Sequence, residues 1–228
     1  MGQDQTAKLE WKESGVPVAT RFDDPYFSLE NGLDETRHVF LAGNDLPARF
    51  RPGFHVAELG FGTGLNMLAT LMAWQAAGAP EGVRFTSFEA FPMSVADVSR
   101  ALEAFPEARA LADPFLDAWG AGRRLFDVHG LSVEVVEGDA RKELGRWTGH
   151  ADAWFLDGFS PAKNPELWGE DLMTEIGHHT APNGTFATYT AAGFVRRALD
   201  AAGFDVERSP GYGRKRHMSR GILRPREI

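Results

Sequence analysis

From residue 54 onward, short apolar runs alternate with stretches in which apolar positions recur every three to four residues. FHVAEL (54–59), VRFTSFE (83–89), LSVEVVEG (131–138), ADAWFLD (151–157) and GTFATYT (184–190) have the length of strands, and the two-sided apolar ones suit a buried parallel sheet. Between them, LNMLATLMAWQAAG (65–78), SVADVSRALEAF (94–105), ARKELGRW (140–147), PELWGEDLMTEIGHH (165–179) and AAGFVRRALDAAG (191–203) have helical spacing. This alternation predicts an α/β fold with a doubly wound, mostly parallel sheet. FDVERSP and RKRHMSRGIL supply two final strands, one of them antiparallel.

Two segments break the rhythm. Residues 1–50, punctuated by Pro17, Pro25, Gly32, Gly43 and Pro47, read as an irregular cap over the strand ends. Residues 106–130 read as an inserted segment with a helix and a hairpin arm. With 228 residues and neither repeat nor linker, the chain suits one domain, the cap (1–50) belonging with a core at 51–228.

Composition narrows the chemistry. There is no cysteine, so disulfides, thiolate zinc sites, iron–sulfur clusters and thiol nucleophiles are excluded. Of the seven histidines, the adjacent His178 and His179 splay apart on a helix and the other five are scattered, so no metal site is expected. No run approaches the roughly 20 apolar residues of a membrane span, and the start MGQDQTAKLEW is polar, so a soluble cytoplasmic protein is expected. A formal charge of −8 does not favour nucleic acid, yet Arg208, Arg214, Lys215, Arg216, Arg220, Arg224 and Arg226 crowd the C-terminal end. That end is a candidate RNA surface or a solvated basic tail.

The strongest local motif is ELGFGTGLN (58–66), a glycine turn between a strand and a helix. Ligands of open α/β sheets sit outside the carboxyl ends of the strands, where this turn lies. Its glycines allow close backbone approach, and the N–H groups opening the helix can bind a carboxylate. The acidic-x-G-x-G-T-G spacing resembles methyltransferase motif I more than a dinucleotide fingerprint, although a Rossmann dehydrogenase is the competing reading. Acids end the next strands: Glu89 is placed to accept ribose hydroxyls and Asp139 the adenine amino group, with the Ala140 N–H on the ring. Each acid alone also fits an ordinary helix N-cap. The set predicts an S-adenosylmethionine pocket of Glu58, Gly60, Phe61, Gly62, Thr63, Gly64, Asn66, Glu89, Asp139, Ala140 and Asp157, in a class I, Rossmann-like methyltransferase with a seven-stranded sheet.

The fourth core strand runs into LDGFSPAKNP (156–165). Its end lies beside the transferable methyl group in this fold, making Asp157 the candidate catalytic residue, against the alternative of a tight turn with a capping aspartate. Lack of cysteine removes methylation of a pyrimidine C5 and radical methylation, leaving nitrogen or oxygen as the acceptor. A metal-assisted catechol route is not removed by this reasoning.

The strings DDPYFSLENGLDETRHVFLAGN (23–44), ELGFGTGLN (58–66), SFEAFP (87–92), DAWFLDGFSPAKNPELW (152–168), TAAGFVRRAL (190–199) and GYGRKRHM (211–218) resemble, in order, the methyltransferase domain of the bacterial tRNA (5-methylaminomethyl-2-thiouridine) methyltransferase family, MnmC. The resemblance implies methyl transfer from S-adenosylmethionine to the exocyclic amine of 5-aminomethyl(-2-thio)uridine at the wobble position, within the tRNA anticodon loop. It implies Tyr26, Glu35, Phe159, Lys163 and Asn164 at the base pocket, with Arg214, Lys215 and Arg216 on tRNA. It also implies a flavin-dependent oxidoreductase as a fused or separate partner. A small-molecule N- or O-methyltransferase and a non-catalytic tRNA-binding module are the alternative functions.

Overall fold

The computed structural model describes residues 6–28 and 31–225. Residues 1–5, Leu29, Glu30 and Arg226, the last cation of the basic stretch, lie outside them.

The cap is more regular than its sequence suggests. Strands β1 (Leu9–Trp11), β2 (Pro17–Ala19) and β3 (Asp24–Pro25) form a small antiparallel sheet. Helix α1 (Gly32–Thr36) then continues through a π-turn at Arg37–Leu41 and a 3₁₀ turn at Ala42–Asn44. Tertiary packing overrides weak local signals here: Val16, Phe27, Leu33, Val39, Phe40, Leu41 and Leu46 of the cap are buried in one cluster with Val56, Phe85 and Phe155. Polar side chains fix the join. The fully buried Asn44 donates through Nδ2 to the Trp154 carbonyl at 3.2 Å and accepts from Thr185 Oγ1 at 2.6 Å.

The core comprises β4 (His55–Leu59), α2 (Leu65–Ala76), β5 (Arg84–Glu89), α3 (Val95–Leu102), α4 (Pro106–Arg109), α5 (Asp113–Gly120), β6 (Leu125–Val128), β7 (Leu131–Glu137) and α6 (Ala140–Glu143). It continues with β8 (Ala151–Leu156), α7 (Glu170–His178), β9 (Thr180–Thr188), α8 (Gly193–Ala201), β10 (Phe204–Pro210) and β11 (His217–Leu223). The sheet order is β10-β11-β9-β8-β4-β5-β7-β6. Strands β4, β5, β7, β8 and β9 are parallel, while β11 runs antiparallel to both neighbours. All residues of β4 and β8 are buried, as expected of strands covered on both faces. Alternate residues serve opposite faces: Ala153 and Phe155 join one cluster, Trp154 and Leu156 the other.

The sheet has eight strands rather than the expected seven. The extra one, β6, comes from the insertion and pairs antiparallel with β7. His129 (φ 52°) and Gly130 (φ 92°) make the left-handed two-residue turn that such a tight hairpin needs. Upstream, the insertion holds two short helices instead of one, each opened by a proline in its first turn. The helix expected over 165–179 is also divided, a 3₁₀ turn at Pro165–Trp168 stopping at Gly169 before α7 begins.

Candidate active site

A cleft of about 750 Å³ opens at the carboxyl ends of β4, β5, β7 and β8, roofed by the cap. One end is built on the glycine turn. Gly60 has φ +86°, and a Cβ there would stand 2.6 Å from the Asp157 carbonyl oxygen, so only glycine lets β4 leave so close to the end of β8. Glu89 lines the cleft and accepts the Gly62 N–H at 2.9 Å and the Phe91 N–H at 2.7 Å. Burial raises its pKa while these N–H bonds oppose the rise. A carboxylate has about four acceptor positions, so capacity for a vicinal diol remains.

Asp139 and Ala140 also line the cleft, but the aspartate is heavily engaged. It caps α6 by accepting the Arg141 N–H at 3.0 Å, and the Arg141 guanidinium closes on its carboxylate at 2.6 Å. Arg141 therefore holds the Asp139 carboxyl below the usual range and ties it to Glu166 at 2.5 Å. Ala140, at the first position of α6, has one of the N–H groups that no helical carbonyl can satisfy. Phe61, Gly62 and Thr63 also line the cleft, the Phe61 ring turning into the core against Phe115 and Trp119.

Two residues expected at the cofactor lie behind that wall. Glu58 is 1% exposed and its carboxylate is spent on the Asn66 amide at 2.7 Å and the Ser87 hydroxyl at 2.6 Å. Burial pushes its carboxyl well up, Ser87 opposing. Gly64 faces the aromatic core, where a Cβ would stand 2.9 Å from the Phe115 ring.

The other end of the cleft is organised by Asn66, which lines it from the first turn of α2. Its Nδ2 donates both to Glu58 and, at 2.8 Å, to Asp157 Oδ2, while Thr36 Oγ1 of the cap donates to its Oδ1 at 2.8 Å. Burial pushes the Asp157 carboxyl up to about 7, against the Asn66 hydrogen bond and the charge of Lys215, with Glu35 adding to the rise. Tyr189, just past β9, donates its hydroxyl to the Gly158 carbonyl at 2.6 Å. Lys215 Nζ sits 4.2 Å from the Tyr189 ring centroid and 2.6 Å from Glu35 Oε1. Phe159 stacks on Phe22 at 4.6 Å between centroids and meets Tyr26 edge-on at 5.3 Å.

The structure brings Tyr26, Glu35, Asn66, Asp157, Phe159, Asn164 and Lys215 together on this cleft. It does not bring Lys163, which turns away to the Asp23 carbonyl and, at 3.1 Å, to the Asp23 carboxylate. The adjacent Ser160 N–H donates to Asp24 Oδ2 at 2.8 Å, so this turn anchors the cap. Lys215 parts from Arg214 and Arg216: all three are exposed in the β10–β11 turn, but only Lys215 lines the cleft. Sequence reasoning missed Phe22, Thr36, Phe91, Arg141 and Tyr189. Tyr189 was within reach of the strand-end rule that found Glu89, Asp139 and Asp157.

Among the described residues no group of three or more histidines or acids is placed to hold a metal ion, and no helix is long and apolar enough to cross a membrane. The parallel sheet, the glycine turn after its first core strand and the acid ending the second define a class I, S-adenosylmethionine-dependent methyltransferase.

Comparison with known proteins agrees. A family model described as S-adenosyl-L-methionine-dependent methyltransferase matches residues 102–224, more than half of the chain, and the chain belongs to that family. Its cofactor is S-adenosylmethionine. The chain is 44% identical over 232 residues to the "tRNA 5-methylaminomethyl-2-thiouridine biosynthesis bifunctional protein MnmC" of Aeromonas hydrophila, covering 94% of this chain and 35% of that protein. The protein of the same description from Pseudomonas paraeruginosa is 45% identical over 235 residues, covering 97% and 36%. The chain thus spans about a third of the length of these curated relatives. Among solved structures, MNMC2 from Aquifex aeolicus superposes with a TM-score of 0.75 at 27% identity, covering 97% of this chain and 73% of that one. Spermidine synthase from Thermotoga maritima, at 0.58 and 11% identity, shares the fold.

Proposed function

We propose that this chain methylates the exocyclic amine of 5-aminomethyl(-2-thio)uridine at the tRNA wobble position, giving 5-methylaminomethyl(-2-thio)uridine. The observation that carries the reading is the Asp157 carboxylate, fixed by Asn66 in a cleft walled by Tyr26, Phe159 and Tyr189. Aromatic walls suit a flat base, and a carboxylate suits an amine. The names of the MnmC relatives support the same substrate.

S-adenosylmethionine supplies a methyl group on a positively charged sulfur. Glu89 is the residue for its ribose, Asp139 and the Ala140 N–H for its adenine, and the N–H groups opening α2 for its carboxylate. At the other end Asp157 orients the acceptor nitrogen and balances the charge that develops on it. An aliphatic amine near pKa 10.4 arrives protonated and must lose a proton before it can attack. Passing that proton to a carboxyl near 7 costs about 5 kcal/mol, whereas an ordinary aspartate near 3.8 would cost about 9. Burial of Asp157 therefore makes it a better acceptor of the proton as well as an orienting group.

Residues 1–50 act in this reading as a cap of the same domain as 51–228, since they supply Tyr26, Glu35 and Thr36 to the cleft. Arg214 and Arg216, exposed beside it, are assigned to phosphates of the anticodon loop. The cytoplasm is the compartment this substrate implies. Because the relatives are described as bifunctional and are about three times as long, we assign a flavin-dependent oxidoreductase as the fused or separate partner that prepares the amine. The test is incubation with labelled S-adenosylmethionine and tRNA bearing aminomethyl wobble uridine, followed by nucleoside analysis. A labelled methylaminomethyl nucleoside is expected. Transfer only to free amines or alcohols would replace this reading with a small-molecule methyltransferase.

A further inference from the structure

Of the cations in the basic turn between β10 and β11, Lys215 is the one that lines the cleft. Gly211 and Gly213 fold the turn back on itself: the Gly211 N–H donates to the Arg216 carbonyl at 3.1 Å, and the Lys215 N–H to the Tyr212 carbonyl at 3.0 Å. A Cβ on Gly211 would overlap the Lys215 carbonyl, so the turn depends on glycine there. Its outcome is an ammonium held over the Tyr189 ring and against Glu35, on the cleft that Asp157 also lines, the Tyr189 hydroxyl being bonded at 2.6 Å to the carbonyl of Gly158, next to Asp157. Glu35 comes from α1, 180 residues away in sequence, and is the less exposed partner, its side chain 14% exposed against 45% for Lys215. A cation meant for phosphate gains nothing from a partner already on the protein, since that pair must break before RNA can bind. A cation meant to act on the cleft gains a fixed position from both contacts.

We propose that the Glu35–Lys215 pair is a positioning device that sets the charge of Asp157, and with it the protonation state of the acceptor nitrogen, rather than part of the RNA-binding surface. The role as written rests on the acceptor reading given above. Its first consequence, the titration of Asp157, is a property of the protein alone. The groups facing Asp157 define the balance. Asn66 donates to it from α2, Glu58 stands behind Asn66 on β4, Glu89 lies at the end of β5, and Tyr26 and Glu35 come from the cap. Tyr189 lies past β9, and Lys215 is the nearby cation whose charge is felt at Asp157. Acids therefore dominate, and each member of the pair pulls Asp157 in the opposite direction. The same signs hold for the substrate: a fixed ammonium disfavours a second ammonium beside it, and a carboxylate favours one. In the transfer a proton would leave the ammonium for the Asp157 carboxylate or for water, and the freed lone pair would take the methyl group as its bond to sulfur breaks, that electron pair staying on sulfur, which leaves as neutral S-adenosylhomocysteine.

The test is the side-chain carboxyl carbon signal of Asp157 in cofactor-free protein labelled at aspartate, assigned with Asp157→Asn and followed from pH 4 to 9. Lys215→Met is expected to move its midpoint up by about one pH unit and Glu35→Gln to move it down by a similar amount, with Lys215→Arg close to wild type. The low-pH limb of single-turnover methylation should move in the same directions. Lys215→Met should leave tRNA affinity within about twofold of wild type. Coincident midpoints in all four proteins, or displacement of Lys215→Met and Glu35→Gln in one direction, would overturn the proposal. So would a loss of tRNA affinity in Lys215→Met with the midpoint unmoved. Wild-type protein that makes no methylaminomethyl nucleoside would defeat the substrate reading and leave the titration result standing.

Discussion

Replacing Asp157 with Asn removes a buried negative charge while keeping an oxygen for the Asn66 amide, now 2.8 Å from Asp157 Oδ2. The carboxyl titrates near 7 in the folded protein and near 3.8 in the unfolded chain. A folded value raised in this way means that the native state binds the proton more tightly. The stabilisation is complete below about pH 4 and disappears as pH rises through about 7. At about 1.4 kcal/mol per pKa unit, the wild type gives up as much as about 4 kcal/mol by pH 8, whereas Asn gives up none. Glu58 shares the Asn66 amide, and because the Asp157 charge adds to the rise of its pKa, removing that charge opens the gap in the same direction. Urea denaturation of both proteins without cofactor, from pH 5 to 8.5, should show a gap that opens with pH in favour of Asp157→Asn. The same variant should bind tRNA normally and lose about 2–4 kcal/mol of transition-state stabilisation, roughly 30- to 1,000-fold in single-turnover rate. A stability gap that ignores pH would refute the assigned burial of the charge, and a wild-type rate would place the acceptor site elsewhere.

Gly62→Val should abolish S-adenosylmethionine binding: Gly62 has φ +52°, and a Cβ there already lies 3.2 Å from the Tyr26 ring, so a branched side chain must distort the turn or displace the cap. Calorimetry on the folded variant showing undiminished affinity would be the contrary result. Glu89→Ala should weaken cofactor binding roughly tenfold or more through the loss of charged hydrogen bonds. Asp139→Ala should cost less, because Arg141 already occupies that carboxylate; equal losses in the two dissociation constants would contradict the ordering. Replacing Arg214 and Arg216 with Ala should weaken tRNA binding and flatten its salt dependence by about 0.7–0.9 for each phosphate that is no longer neutralised, with cofactor affinity intact. Filter binding across a salt series reads this directly, and an unchanged slope would make the turn a solvated surface.

The sheet was legible because a strand covered on both faces must be apolar along its length, and β4 and β8 are. The strand-end acids were legible for a related reason: a carboxylate at such a place needs donors, which here are the Gly62 and Phe91 N–H groups for Glu89, the start of α6 for Asp139 and the Asn66 amide for Asp157. What the strand pattern does not reveal is which way a side chain turns once the strand has ended. Glu58 points inward because Asn66 and Ser87 are there to receive it. Lys215 looked like one of a run of cations, and its direction is decided by a glycine turn and by Glu35. Phe22 and Thr36 sit in a stretch without helical or strand periodicity, where tertiary contacts alone give the backbone its shape. The added strand β6 was half visible, since its hairpin arm was expected but not its incorporation into the sheet.

The two ends of the cleft differ in how far apart their residues lie along the chain. The glycine turn, Glu89, Asp139 and Arg141 fall within residues 58–141, whereas the acceptor end joins Thr36 to Asn66 and Glu35 to Lys215 across 30 and 180 residues. Closing a longer loop costs more chain entropy and comes later in folding. In the order of synthesis the glycine turn, Glu89, Asp139 and Arg141 precede β8, whereas the contact of Glu35 with Lys215 waits until the β10–β11 turn is made. The cleft is thus closed at this end by the last hairpin of the sheet reaching back to the first helix of the cap, so the two ends of the chain meet at the site.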